Sequence, residues 1–190
     1  KVAIVTAFAS ATRCVDLIAG HLPGRITTPT AMVCRDLRTV PVVHLPDGLT
    51  LRSVHRQLGD APGGVPLREA AAAAMRADPS IQGDLDAFAG YLRSLPGAFR
   101  LLAAVDPSGA VRATAGSGAF GIHASVIFVD TDPRWRARGV GTAMTSTALH
   151  AAREAGATTA CLDASDAGVG IYRRLGFDVV GRVTRLYRPE

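Results

Sequence analysis

The chain has 190 residues, 48% of them hydrophobic and 19% charged, which excludes a disordered segment or two full-sized domains and fits one globular domain with its own core. Lysine and arginine number 21 against 16 acidic residues, a formal charge of +5; this mild excess permits an anionic ligand without calling for nucleic acid, and the scattered aromatics offer no stacking platform for bases. Cys14, Cys34 and Cys161 form no C-x-x-C pair, so a disulfide framework or cysteine zinc site is not expected, and a reducing cytoplasmic setting is.

Val2 to Phe8 reads as a strand, Ala11 to His21 as a helix closed near Pro23-Gly24, and Ala31 to Cys34 and Val40 to His44 as short extended runs. None of these approaches the ~20 apolar residues of a membrane-spanning helix, so no membrane partner is expected. Proline and Asp-Gly in His44-Leu45-Pro46-Asp47-Gly48 supply turn chemistry and mark a seam. Residues 1–46 are thus expected to form an N-terminal extension packed on a core domain of residues 47–190. His21 and His44 of the extension stand beside apolar neighbours, without the convergent partners that a base or metal ligand needs.

Past the seam, Leu49 to Val54 alternates as a strand does. Arg68 to Arg76, rich in alanine, is predicted helical and stops at Asp78-Pro79. Asp84 to Leu95 is predicted as a second helix, with Leu85, Phe88, Ala89 and Leu92 at helical spacing. Phe99 to Val105, Val111 to Gly116 and Ala124 to Val129 come next as strands of an antiparallel meander. A strand reaching Thr131, a helix from about Gly141 to Ala155, and a strand from Thr159 to Asp163 then form a crossover unit, which makes the sheet mixed. Ala167 to Leu175 reads as a short helix and Gly176 to Val180, continued at Val183 to Tyr187, as a closing strand.

The strongest chemical signal is the junction between Val129 and Thr142. A helix that opens with Gly139-Val140-Gly141 directly after a strand exposes unpaired backbone amides, and its glycines admit close approach by a ligand. Such a site attracts phosphate or pyrophosphate, and Arg134, Arg136 and Arg138 add positive charge beside it. No G-x-x-x-x-G-K-[ST] run is present at this junction, and Met144 stands where a dinucleotide fingerprint requires glycine or alanine.

Arg136-Ala137-Arg138-Gly139-Val140-Gly141, preceded by Asp132-Pro133 and a strand, resembles the R/Q-x-x-G-x-G/A motif of the GCN5-related N-acetyltransferases (GNAT). Leu162-Asp163-Ala164-Ser165 and then Ile171-Tyr172-Arg173-Arg174-Leu175-Gly176-Phe177 resemble the fifth strand and Y-x-x-L-G-F segment of that family. The fold resemblance spans about Leu49 to Pro189, and residues 1–46 lie outside it. The resemblance implies an α/β (α+β) mixed sheet of the acyl-CoA N-acyltransferase type, with acetyl-CoA as acyl donor and no metal. It also implies that main-chain groups of Val129, Asp130 and Thr131 hold the pantetheine arm, and that the amides of Arg136, Ala137, Arg138, Gly139, Val140, Gly141 and Thr142 cradle the pyrophosphate. Ser165 stands where members often carry a cofactor-contacting asparagine; alternatively it caps the next helix.

In the family the tyrosine matching Tyr172 protonates the departing thiolate, a role that suits a phenol beside a leaving group of parent pKa about 8.5. The resemblance implies Asp163 as the base that takes the amine proton, against a plain turn-capping role, with His123 and Asp130 as more distant candidates. Cys161 reads as a small buried hydrophobe, and Trp135 with Arg134 as cover for the cofactor loop. The expected activity is direct transfer from acetyl-CoA to an amine of a small molecule or peptide, by a monomer or a homodimer. The alternative is a non-catalytic acyl-CoA-binding regulatory module that docks a partner through its N-terminal segment.

Overall fold

The structure, a computed structural model, describes residues 4–8, 25–55, 64–77 and 84–187. In chain order these form β1 (Ile4–Phe8), β2 (Arg25–Thr27), β3 (Thr30–Cys34), β4 (Thr50–His55), β5 (Val65–Pro66), α1 (Leu67–Ala77), α2 (Leu85–Ser94), β6 (Phe99–Val105), β7 (Val111–Phe120), β8 (His123–Thr131), α3 (Val140–Glu154), β9 (Thr159–Ala164), α4 (Val169–Arg174) and β10 (Asp178–Tyr187). The helix expected over Ala11 to His21 and the stop at Asp78-Pro79 lie outside the described residues. The chain divides into two compact units, residues 35–160 and residues 1–34 with 161–190. The expected seam at His44 to Gly48 falls within the first of these.

In the larger unit the strand order is β8-β7-β6-β4-β5. The β4–β6, β6–β7 and β7–β8 pairs are antiparallel and β4–β5 is parallel, so this unit alone holds a mixed sheet. Strand β6 shows why both of its faces are covered. Phe99, Leu101, Ala103 and Val105 pack with Ala70, Ala71, Ala74, Phe88 and Leu92 of α1 and α2. Leu102 and Ala104, one step out of phase, pack with Val140, Met144 and Ala148 of α3. A strand buried on both sides carries a nearly continuous apolar run instead of an alternating one, which is what Phe99 to Val105 spells.

Val40 to His44, expected as an extended run, joins no sheet. Pro41 lacks an amide proton and cannot serve a ladder. Side chains of α3 satisfy this main chain instead: the Ser146 hydroxyl donates to the Pro41 carbonyl at 2.6 Å and accepts from the Val43 amide at 3.2 Å. His150 Nε2 lies 3.1 Å from the Val40 carbonyl. Just upstream, Asp36 caps a 3-10 turn at Leu37–Thr39, and the Leu37 amide donates to the Thr158 carbonyl at 2.8 Å.

In the smaller unit the order is β1-β10-β3-β9, and β2 also pairs with β10. Strands β1, β2 and β3 all run antiparallel to β10. Pro29 interrupts what would otherwise be one strand from β2 to β3, and its carbonyl accepts from the Val183 amide at 3.0 Å. A register shift between Val179 and Gly181 bulges β10 against β3. Helix α4 is capped by Gly168 at its start, and the chain reverses after it through Gly176 at φ 87°.

Gly116 in β7 is required by packing. A Cβ there would lie 2.8 Å from Phe99 Cζ and 3.2 Å from the Ile127 carbonyl oxygen, and neither a strand carbonyl nor a buried ring has room to retreat. Gly116→Ala is expected to destabilise the fold by about 1–3 kcal/mol, the usual cost of overpacking. Urea unfolding of the two proteins checks this through a lower midpoint at unchanged slope.

Candidate functional site

Strand β8 is not regular. Thr114 pairs with Asp130 and Gly116 with Ile127, so Ala115 alone faces Phe128 and Val129 across the ladder. One extra residue on one strand is a β-bulge, which bends the strand and breaks its pairing locally. Phe128 takes the strained position, with φ 56°. Its carbonyl, out of the ladder, accepts from the buried Thr114 hydroxyl at 2.9 Å. Its ring makes edge contacts with Phe88 and Phe99, centroids 5.4 and 6.3 Å away. Val129, Asp130 and Thr131 come directly after it.

The Asp130 side chain is only 5% exposed and pairs with Arg76 of α1 at 3.1 Å. Burial pushes its carboxyl above the ordinary range, and the Arg76 charge pulls the other way. The loop after β8 is built on Asp132, whose carboxylate accepts from the Arg134 amide at 3.0 Å and caps a 3-10 turn at Pro133–Trp135. The Arg112 guanidinium bridges Asp132 at 3.0 Å and Asp106 at 2.7 Å, tying this loop to the turn between β6 and β7.

Beyond that turn the backbone runs through Ala137 at φ 58° and Gly139 at φ 79° into α3. The amides of residues 137–142 donate to no protein acceptor among the described residues; the first to do so is Ala143, bonded to the Gly139 carbonyl at 3.0 Å. Gly139 is the N-cap and has no side chain to satisfy them. Arg134, Arg136 and Arg138 are exposed and make no ion pair among the described residues. Arg136 Nε donates to the Thr131 carbonyl at 3.0 Å, and Arg138 lies over the Trp135 ring at 5.2 Å. Trp135 is half-buried and packs against the core of Leu102, Val140 and Met144. The outcome is a run of unbonded N–H dipoles flanked by three exposed arginines, a cradle suited to a phosphate-bearing ligand.

His123, a distant base candidate, sits at the far end of β8, about 25 Å along the strand from Thr131, and contacts Thr159 Oγ1 at 2.7 Å.

The other expected residues belong to the smaller unit. In β9, Ala160, Leu162 and Ala164 are buried, so the period of two turns Cys161 and Asp163 outward. Cys161 is therefore exposed, not the buried hydrophobe expected. Asp163 pairs with Arg185 of β10 and caps no turn. Ser165 offers α4 its carbonyl, which accepts from the Gly168 and Val169 amides at 2.8 and 3.2 Å; its hydroxyl does not cap the helix.

Tyr172 is 9% exposed, and its ring meets Phe177 edge-on at 6.0 Å. A Cβ on Gly168 would come within 2.9 Å of that ring, so glycine is what lets the tyrosine lie there. Its hydroxyl has no hydrogen-bond partner among the described residues, and burial pushes the phenol up to about 12. Such a group stays protonated throughout the neutral range. Among the described residues no cluster of His, Cys, Asp and Glu could hold a metal, and no helix is long and apolar enough to cross a membrane.

The family described as "Acetyltransferase (GNAT) family" matches residues 67–177. No curated protein matches the chain. Among solved structures, a GCN5-related N-acetyltransferase from Kribbella flavida shares 24% identity at TM-score 0.65, over 98% of this chain and 68% of its own. One from Sphaerobacter thermophilus shares 22% at TM-score 0.72, over 99% of this chain and 60% of its own. A tandem GNAT protein from the clavulanic acid biosynthesis pathway shares 13% at TM-score 0.64, over 100% of this chain and 64% of its own. At these identities the likeness establishes the fold. The chain spans roughly two thirds of the length of these structures.

Asp106 fixes the turn that Arg112 ties to the loop. Hydrogen bonds from the Ser108 hydroxyl and then Arg112 hold its carboxyl at about 2, below the ordinary ~3.9. Between those values the unfolded chain binds the extra proton, so this stabilisation is complete above about pH 4 and is lost as pH falls through about 2. Asp106→Asn is expected to unfold more readily at neutral pH, and the gap from the parent protein should narrow on acidification. Urea midpoints at neutral pH and at about pH 2–3 measure both effects.

Proposed function

Because the chain belongs to the acetyltransferase (GNAT) family, we propose that it transfers the acetyl group of acetyl-CoA directly to an acceptor amine. The observation that carries this reading is the unbroken run of unbonded amides at residues 137–142. Six free donors beside Arg134, Arg136 and Arg138 suit the two charges of a pyrophosphate. Main-chain groups of Val129, Asp130 and Thr131, just past the bulge, take the pantetheine amides.

The amine nitrogen attacks the thioester carbonyl; a C–N bond forms, the C–S bond breaks, and the sulfur leaves with the electron pair. Tyr172 supplies the hydrogen bond, and then the proton, that this sulfur needs. Outright transfer from a phenol of about 12 to a thiolate of parent pKa about 8.5 is uphill, so the proton moves as the C–S bond breaks and charge builds on sulfur. The amine proton passes to Asp163, through water; Arg185 fixes one carboxylate oxygen and the other is left to accept. Ser165, with its hydroxyl unused in capping, remains available to the cofactor.

The acceptor is the amine of a small molecule or peptide. Helices α1 and α2 are taken as the acceptor-side wall; there Asp86 is paired with Arg68 at 2.7 Å and Asp84 caps α2, which leaves Glu69 exposed without an ion pair among the described residues. The second reading is a module that binds acyl-CoA without turnover, with residues 1–46 docking a partner. The Asp163–Arg185 pair favours it by occupying the base. Release of free thiol across a panel of amines separates the two readings, since only the enzyme releases coenzyme A.

Gly141→Asp puts a carboxylate among the amides meant for phosphate. One lost charge-assisted contact is worth about 1.5–3 kcal/mol, so calorimetry is expected to show coenzyme A binding at least about tenfold weaker in a folded variant. Unchanged affinity would move the phosphates elsewhere.

Tyr172→Phe keeps the ring and removes the hydroxyl. The acyl-transfer step is expected to slow by about 10² to 10⁴, in kcat and kcat/KM together, with stability and coenzyme A affinity little changed. With the phenol at about 12, the parent rate profile should show no falling limb near neutrality that the variant lacks. Rapid-mixing measurement of thiol release tests this: an equal rate constant in the variant would return Tyr172 to a packing role.

A further inference from the structure

The smaller unit has an open cavity of about 510 Å³ beside α4, broadly exposed to solvent. It is lined by the apolar Val169, Val179 and Gly181 and by the polar Thr30, Asp166, Arg173 and Arg182. The bulge in β10 between Val179 and Gly181 shapes one wall and leaves Val179 43% exposed.

Three features of the polar groups point the same way. Thr30 is only 6% exposed and lines the cavity, and its hydroxyl has no hydrogen-bond partner among the described residues, so it is free to donate to a ligand. Arg173 has no ion-pair partner among the described residues. Arg182 meets Asp166 only at 3.8 Å, with side chains 60% and 86% exposed, a pairing weak enough for another anion to displace. Two guanidiniums against one carboxylate leave one net positive charge beside the apolar lining.

We propose that this cavity binds a small organic monocarboxylate with a short apolar tail. The carboxylate accepts from Arg173, Arg182 and the Thr30 hydroxyl, and the tail lies on Val169 and Val179 in the space left by Gly181. Val169 and Arg173 belong to the same helix as Tyr172, so an occupied cavity acts on the element that carries the proposed acid; that consequence alone rests on the acyl-transfer reading.

The test is calorimetric titration of the full chain, without acetyl-CoA, with hexanoate as probe and with hexanol and hexylammonium as neutral and cationic controls. Hexanoate is expected to bind at least about tenfold more tightly than either control, the worth of a charge-assisted contact. A Cβ at Gly181 would meet nothing within 4 Å and the residue has no positive φ, so Gly181→Phe can fill the cavity without backbone strain and should abolish binding. Arg173→Gln, at an exposed position, should weaken hexanoate about tenfold and leave hexanol unchanged. If Gly181→Phe fails to fold, Arg173→Gln decides alone. Absence of hexanoate binding, equal affinity for hexanol, or unaltered affinity in the folded variants overturns the proposal. Because no turnover is read, these outcomes are independent of whether amines are acetylated.

Discussion

A phenylalanine held at φ 56° costs its strand about 1–3 kcal/mol, and the larger unit is arranged so that Phe128 stays there. A bulge residue in this conformation is ordinarily glycine, which pays no penalty. Here the ring itself is the restraint, wedged edge-on between Phe88 of α2 and Phe99 of β6. The freed carbonyl is met by Thr114, so the bulge leaves no orphan acceptor in the core. Gly116, opposite Ile127, cedes space to the Phe99 ring that helps confine Phe128. Were β8 regular, the main chain of Val129 to Thr131 would continue the ladder without interruption. The aromatic cluster is therefore both part of the core and the reason the site strand bends where it does.

Past the bulge, charge organises the chain. Arg112 reaches Asp106 on one side and Asp132 on the other, and both pairs are largely screened from water, where an ion pair with good geometry outlasts an exposed one. Asp132 then starts the 3-10 turn whose end delivers Ala137 and Gly139 in left-handed conformations. Successive residues of opposite backbone hand point their N–H groups to one side, as in an anion-binding nest. The negative side chains of this region form their ion pairs upstream, with Arg112 and Arg76, and the three arginines of the loop form none among the described residues. Acids paired upstream and arginines left along the loop favour an anionic ligand.

Much of this could be read in the sequence because it depends on local chemistry. Phe99 to Val105, Asp84 to Leu95 and the helix after Gly139 carry the period or caps of the elements they form, and Arg136 to Thr142 resembles a motif defined by its amides. The bulge could not be read, since nothing local marks phenylalanine for a left-handed turn; only Phe88, Phe99 and Thr114, distant in sequence, fix it. The Arg76–Asp130 pair and the service of Ser146 and His150 to the chain at Val40 to Val43 are likewise long-range. Cys161 misled for another reason: in an apolar stretch the period of two, not composition, decides which residues face inward. Val40 to His44 had the composition of a strand, and Pro41 denied it a ladder.

Tyr172 shows how packing and chemistry share one side chain. Six residues are too few for a helix that stands by itself in water, so α4 is held by what it buries, with Tyr172, Leu175 and Phe177 as the main apolar groups. The phenol ring lies over Gly168 and against Phe177. The burial that fixes the helix also partly desolvates the phenol, which raises its pKa, and no described residue bonds the hydroxyl. In the proposed reaction, a donor that no protein group holds surrenders no internal hydrogen bond when charge develops beside it. The same burial makes the phenolate costly, so the group stays protonated in the neutral range. The position of α4 and the strength of its proposed acid are set by one ring.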